Sequence, residues 1–172
     1  MGFWLLIPFG VIRFGLLLFL NKEAVRRAAH FPPFRKSEKV WHWAYQLSAL
    51  AMYILPFFLK IKIAPPALFC IGIATYSAGA ILLVMALINF AVPAESGINK
   101  NGLYRLSRNP IYVSYSVFFI GCVLLTQSPT LLVFLLVLQM STHQVILTEE
   151  RWCIGKFGNE YLAYMSSVRR YI

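Results

Sequence analysis

Two polar groups stand out in an otherwise apolar chain. The first is Gly102 to Tyr115, GLYRLSRNPIYVSY, with Tyr104, Arg108, Asn109 and Tyr112, preceded by Glu95, Ser96 and Asn99. The second closes the last long apolar run and comprises Gln139, His143, Glu149 and Glu150. Gln139, His143 and Glu150 are spaced by four and seven residues and so share one helix face. Polar side chains on one face of a membrane helix point into the bundle or a wet cavity. Glu150 continues that stripe and is preferred to Glu149, which a solvated helix end explains as well. A lone His143 fits a helix–helix hydrogen bond. If these two groups meet, they form a site at the membrane interface. That site would take a water-soluble cofactor from one side and a lipid-like substrate from the other. Other chemistries lack their motifs: there is no GxGxxG after a strand, no P-loop, no GxSxG and no HExxH. Cys70, Cys122 and Cys153 fall in separate segments, so neither a metal site nor a disulfide framework is expected.

The elements that must position these residues are membrane helices. The chain of 172 residues is 59% hydrophobic and 13% charged, with mean hydropathy +0.68. A soluble domain averages about 45–50% apolar and about 25% charged. The expected fold is therefore a single all-α integral membrane domain. Five apolar runs approach the roughly 20 residues a span needs, over residues 2–20, 41–59, 67–92, 110–125 and 130–147. The first lacks a basic leader and reads as a span, not a cleaved signal. It contains Arg13, which needs a neighbouring helix or a headgroup as partner. Trp41, Trp43 and Tyr45 open the second run, as interfacial aromatics do. Gly72, Ser77 and Gly79 offer small surfaces for close packing in the third. Runs four and five form a helical hairpin across a short turn. A connector over 93–109 precedes Pro110, which suits a first helical turn, and Gly97 and Gly102 let it turn tightly. In the tail, 148–172, Phe157, Tyr161, Tyr164 and Val168 recur at helical spacing. This predicts an amphipathic surface helix, separated from the fifth span by Gly155 and Gly158.

Charge orients the chain. Thirteen Lys and Arg residues fall in the first and third loops and the tail, against two, Lys60 and Lys62, in the second loop. Five spans place the thirteen on one side, which predicts an outside N-terminus and a cytoplasmic C-terminus. The net charge of +10 is thereby assigned to cytoplasmic loops and not to nucleic-acid binding. Five spans suit a bacterial or archaeal inner membrane.

The pattern Gly102-x-Tyr104 followed by Arg108-Asn109-Pro110-x-Tyr112 resembles the GxYxxxRHPxY motif of isoprenylcysteine carboxyl methyltransferases and related phospholipid methyltransferases. Glu149-Glu150, Phe157-Gly158, Tyr161, Tyr164, Val168 and Arg170 resemble the same family's EE…FGxxYxxYxxxVxR ending. Together the motifs cover roughly the C-terminal half. The resemblance implies S-adenosylmethionine as methyl donor, bound where connector, hairpin and tail meet. It implies cofactor-pocket positions for Tyr104, Arg108, Asn109, Pro110, Tyr112 and Glu150, with His143 on the same stripe. Glu150 and Arg170 fall at the active site. Glu150 would hold the cationic donor, and Arg170 or Arg108 a substrate carboxylate or phosphate. The acceptor would be lipophilic: a prenylcysteine-like carboxylate, a phospholipid or a small metabolite. Asn109 stands where the family has histidine; it hydrogen-bonds but does not titrate. Cys153 stands where leucine is usual. Two other readings are a membrane reductase using NADPH and a non-catalytic membrane subunit.

Overall fold

The computed structural model describes residues 1–20, 32–92 and 97–172. Most of the first basic loop, together with Glu95 and Ser96, lies outside these residues. Among the described residues all regular structure is helical. The helices are α1 (Gly2–Leu20), α2 (Lys39–Ile54), α3 (Pro66–Ala91), α4 (Pro110–Thr126), α5 (Pro129–Phe157) and α6 (Asn159–Ser167). α1, α3 and α5 are long and apolar enough to cross a membrane. α4 is apolar but has 17 residues, and α2 has 16. The hydropathy window for run two overstates the regular helix at its C-terminal end, whereas run four, 110–125, matches α4 to within one residue. Around Pro56 the α2 ladder gives way to a 3-10 turn, Leu55–Phe58. α4 stops where Gln127 takes a left-handed conformation, φ 46°.

The largest departure concerns α5. Residues 130–147 are expected to span, with a break at Gly155 and Gly158, yet the helix runs on to Phe157. A glycine inside a helix costs only about 1 kcal/mol and does not forbid it. Gly158 ends the helix because its φ is +54°. At about 1.5 Å per residue the 29 residues of α5 extend some 43 Å. That exceeds the ~30 Å hydrocarbon core, so α5 is longer than a bilayer span requires, and its surplus turns are the polar ones past Leu147 that hold Glu149 and Glu150. Only α6 remains as a separate tail helix. It turns Tyr161 and Tyr164 inward against Ile98 and Phe157.

α3 and α4 form the most extensive helix pair. A Cβ on Gly79 would collide with the Phe118 backbone, and one on Gly121 would stand 2.5 Å from Tyr76 Cα. These glycines let the two backbones approach closely, the dominant mode of association where lipid removes the hydrophobic drive. Gly72 packs against Leu125, whereas Ser77, expected on the same surface, is exposed. α2 packs along α5 as the second major pair. The sequential hairpin partners α4 and α5 touch less, which leaves a cleft between them that α2 helps to line. Phe9 of α1 fills the centre, against Tyr53, Tyr115, Phe118 and Phe119.

Backbone bonds sort the termini and loops into two ends. Gly2 N–H donates to the Leu59 carbonyl, and Lys62 N–H to the Leu125 carbonyl. Gln127 Nε2 donates to the Ala64 carbonyl. The opposite end gathers the 102–109 connector, the α5 C-terminus and the tail.

Candidate functional site

The connector is shaped before it is used. A 3-10 turn over Gly102–Arg105 is pinned to α3 by Leu103 N–H donating to Asn89 Oδ1 at 3.0 Å. Tyr104 is buried, and its carbonyl accepts from Tyr164 Oη at 2.7 Å. Burial raises the Tyr164 hydroxyl to about 12, so it remains a neutral donor. Ser107 Oγ accepts from Asn109 N–H and donates to the Arg170 carbonyl. Asn109 Nδ2 donates to that same carbonyl at 3.1 Å. The asparagine thus performs a neutral donor's task that an amide fulfils without titrating. Pro110, buried, opens α4.

Arg108 and Arg170 meet on Glu150. Arg108 donates through Nε and Nη2 to Glu150 Oε1 at 3.1 and 2.8 Å, and through Nη1 to the Met165 and Val168 carbonyls. Its main-chain N–H donates to the Arg169 carbonyl. Arg170 donates through Nε and Nη2 to Glu150 Oε2 at 3.1 and 2.8 Å. The Glu150 and Arg108 side chains are 5% and 8% exposed, and Arg170 is 31% exposed. The Glu150 carboxylate raises the guanidinium of Arg170 further above its already high value. One buried carboxylate therefore holds both the connector and the tail to α5. Buried charges persist only when paired and hydrogen-bonded in this way.

Beside it, Glu149 Oε1 accepts from Tyr112 Oη at 2.7 Å. Glu149 has no arginine partner among the described residues. Two arginines, the connector and the tail thus converge on Glu150, while Tyr104 joins through Tyr164 and Tyr112 through Glu149. The His143 and Gln139 members of the stripe take different partners. His143 Nδ1 lies 2.7 Å from Tyr171 Oη, and Gln139 Oε1 accepts from Ser116 Oγ at 2.9 Å.

Sequence reasoning does not single out several contributors. Asn89 anchors the connector, and Tyr171 meets His143. Glu38, at the start of α2, makes a two-pronged ion pair with Arg151. A narrow cavity of about 30 Å³, room for one or two waters, lies between α2, α4 and α5 and is lined by Tyr45, Tyr53, Tyr112 and Tyr115. The scarcity of acids was the available signal: the chain has six, all glutamate, against 16 Lys and Arg. Each of the four described glutamates is engaged. Among the described residues no cluster of His, Cys, Asp or Glu suits a metal.

An apolar helical bundle with its ion-paired residues gathered at one end defines a membrane protein whose polar site lies at an interface. The phospholipid methyltransferase family model matches residues 63–160, and the chain belongs to that family. The match takes in α3, α4 and α5, with the connector and both glutamates; α1, α2 and Arg170 lie outside it. No curated protein and no solved structure matches the chain. Family membership places the protein among membrane methyltransferases in general and points to a lipid substrate.

Proposed function

We propose that the protein transfers a methyl group from S-adenosylmethionine to a lipophilic acceptor at the cytoplasmic face of a membrane. In this reading α1 to α5 all cross the bilayer, and the end that holds Glu150 faces the cytoplasm. The alternation of chain ends seen in the backbone bonds and the thirteen-to-two charge asymmetry support both points.

One observation carries the proposal: two adjacent carboxylates are tucked under the connector and tail, and only one is neutralised by arginine. Glu150 is committed to Arg108 and Arg170, so its task is to hold the lid of the site in place. Glu149, bonded to a single tyrosine, is available to a cation. The chain's residues suit the donor. A carboxylate fits its positive groups, and Asn99 Oδ1, buried without a hydrogen-bond partner, offers a further acceptor. When bound, the donor supplies an electrophilic methyl on a sulfonium centre. The residues around it position the reactants and exclude water. Tyr112 fixes the Glu149 carboxylate, and Arg170, the more exposed arginine, borders the approach to the site. No general base is assigned, since an ionised acceptor needs none.

The test is calorimetric titration of the purified protein with S-adenosylhomocysteine, with NADPH in parallel. Micromolar binding of the first alone is expected. Glu149→Gln keeps the Tyr112 hydrogen bond but removes the charge. It should weaken binding about tenfold or more, the scale of one charge-assisted contact. Arg35→Ala, on the exposed chain before α2, should bind as the parent does. NADPH binding alone would make this a reductase site, and binding of neither by folded protein would leave a non-catalytic subunit.

A further inference from the structure

After α6 the chain turns extended at Val168, φ −128° and ψ 134°. An extended segment must find partners for its carbonyls outside itself, and here the connector supplies them. Arg108 Nη1 donates to the Val168 carbonyl at 2.7 Å, and Arg108 N–H to the Arg169 carbonyl at 2.9 Å. Ser107 Oγ and Asn109 Nδ2 donate to the Arg170 carbonyl at 3.2 and 3.1 Å. The main chain over 168–170 is therefore a rail fixed to the connector. Its attachment to α5 is different in kind, being made by two adjacent side chains. Arg170 reaches Glu150, and Tyr171 reaches His143, whose Nδ1 lies 2.7 Å from the tyrosine Oη. Glu150 and His143 are seven residues apart on one face of α5, about 10 Å along its axis. The side chains of Arg170 and Tyr171 thus bridge the seam between the rail and α5 at two heights.

Both bridges can let go without moving the rail or stranding a charge. When Arg170 departs, Glu150 Oε1 keeps its bonds from Nε and Nη2 of Arg108. A buried carboxylate with one guanidinium is still paired, whereas with none it would be severely destabilised. The two arginines are unequal in the sense this requires: the Arg108 side chain is 8% exposed and that of Arg170 31%. The second fastening is the weaker one. Tyr171 is itself exposed and is held to His143 by a single hydrogen bond with no carboxylate in it.

We propose that the side chains of Arg170 and Tyr171 form a gate across this seam, latched by the Tyr171–His143 hydrogen bond, through which the methyl donor and its product exchange. This rests on the donor reading above and adds how the ligand reaches the site. The group guarded is Glu149, next to Glu150 in α5 and bonded to Tyr112. Opening needs rotation of two side chains and no change in the helices. When only the open form exchanges ligand, the observed association rate is the intrinsic rate multiplied by the open fraction. The latch closes the empty and the loaded protein alike. It therefore slows entry and exit by the same factor and leaves the affinity where it was.

The experiment mixes the full chain, purified in an uncharged maltoside detergent, with S-adenosylhomocysteine in a stopped-flow instrument and follows intrinsic fluorescence. Tyr171→Phe keeps the ring and removes the latch. Loss of one such hydrogen bond shifts an equilibrium about fivefold, so the association and dissociation rate constants should both rise about fivefold with Kd unchanged. Rates equal to the parent's overturn the proposal. So does faster dissociation alone, which is the mark of a lost binding contact or a loosened fold. A second measurement reads the latch without ligand: fluorine NMR of the chain with a ring fluorine on Tyr171. His143→Phe should shift that resonance, and an identical signal in parent and variant would show that the bond does not form, which equally overturns the proposal. A parent that shows the latch signal yet binds no S-adenosylhomocysteine would refute the methyltransferase reading and leave the latch closed over a site for another ligand.

Discussion

The α3–α4 interface and the Glu150 cluster stabilise the same bundle by opposite means. Along α3 and α4 there is almost nothing but shape: Gly79 faces the Phe118 backbone and Gly121 the Tyr76 backbone, and contact is made by what is missing from the side chains. At the Glu150 end, distant parts of the chain are joined by a few charges whose removal leaves others exposed. The first interface spreads its stability over many small dispersion contacts. The second concentrates it in one carboxylate with two guanidiniums. Damage to the first should loosen the bundle as a whole, whereas damage to the second should free the connector and tail and spare the bundle.

Glu150→Ala tests this most severely. It leaves Arg108 buried without its counter-ion, a loss of about 3–5 kcal/mol for a broken buried pair. Hydrogen exchange should show the 97–109 connector and the 158–172 tail losing protection while α3 and α4 keep theirs, and S-adenosylhomocysteine binding should vanish. Equal loss of protection in α3 and α4 would show that the two regions are one cooperative unit. The converse substitution, Gly79→Leu, overpacks the helix pair at about 1–3 kcal/mol. The expected outcome is a lower melting temperature in detergent, with the connector's protection falling only in step with the whole bundle. Selective loss at the connector would contradict the division.

How far these regions were legible follows from what each is made of. The all-helical membrane class needed only composition and run length, which are local. Gly72 and Gly79 were readable as a packing surface, two helical turns apart; Ser77 was grouped with them on size alone, although its position faces outward. Gly121 carries no signal of its own because its meaning is the Tyr76 backbone opposite. The length of α5 was hidden because hydropathy declines after Leu147 while the helical ladder continues. At the site, residue types and one helix face pointed to Arg108, Asn109 and Glu150, and the resemblance of the tail motif pointed to Arg170. Their convergence on Glu150 did not follow from spacing, and neither did the Tyr112–Glu149 bond. His143 shared the spacing of the stripe but is met by Tyr171. The Glu38–Arg151 pair joins residues too far apart in the chain for any spacing rule.

Smaller effects sharpen the ranking within the polar end. Tyr112→Phe removes one hydrogen bond to Glu149 and should cost about 1 kcal/mol of stability. Because it frees the carboxylate to rotate, its effect on S-adenosylhomocysteine affinity should exceed its effect on melting. A variant that melts lower but binds as the parent does would assign Tyr112 to structure alone.

The Glu38–Arg151 pair should be the weakest, although its geometry is two-pronged. Its side chains are 20% and 37% exposed, against 5% and 8% for Glu150 and Arg108, and exposed pairs contribute less than about 1 kcal/mol. Hydrogen bonds from Arg151, more than the charge itself, pull the Glu38 carboxyl from 4.5 down to about 2. A depressed carboxyl stabilises the folded state in full above its unfolded value. That contribution should therefore be intact above about pH 5, fade as pH falls through 4.5 and disappear near pH 2. The melting temperatures of the parent and Glu38→Gln, compared across that range in detergent, should differ slightly at neutral pH and converge in acid. A difference at neutral pH as large as that of Glu150→Ala would mean that burial does not set the strength of these pairs, and the contrast between the buried Glu150 cluster and the exposed Glu38–Arg151 pair would have to be redrawn around geometry.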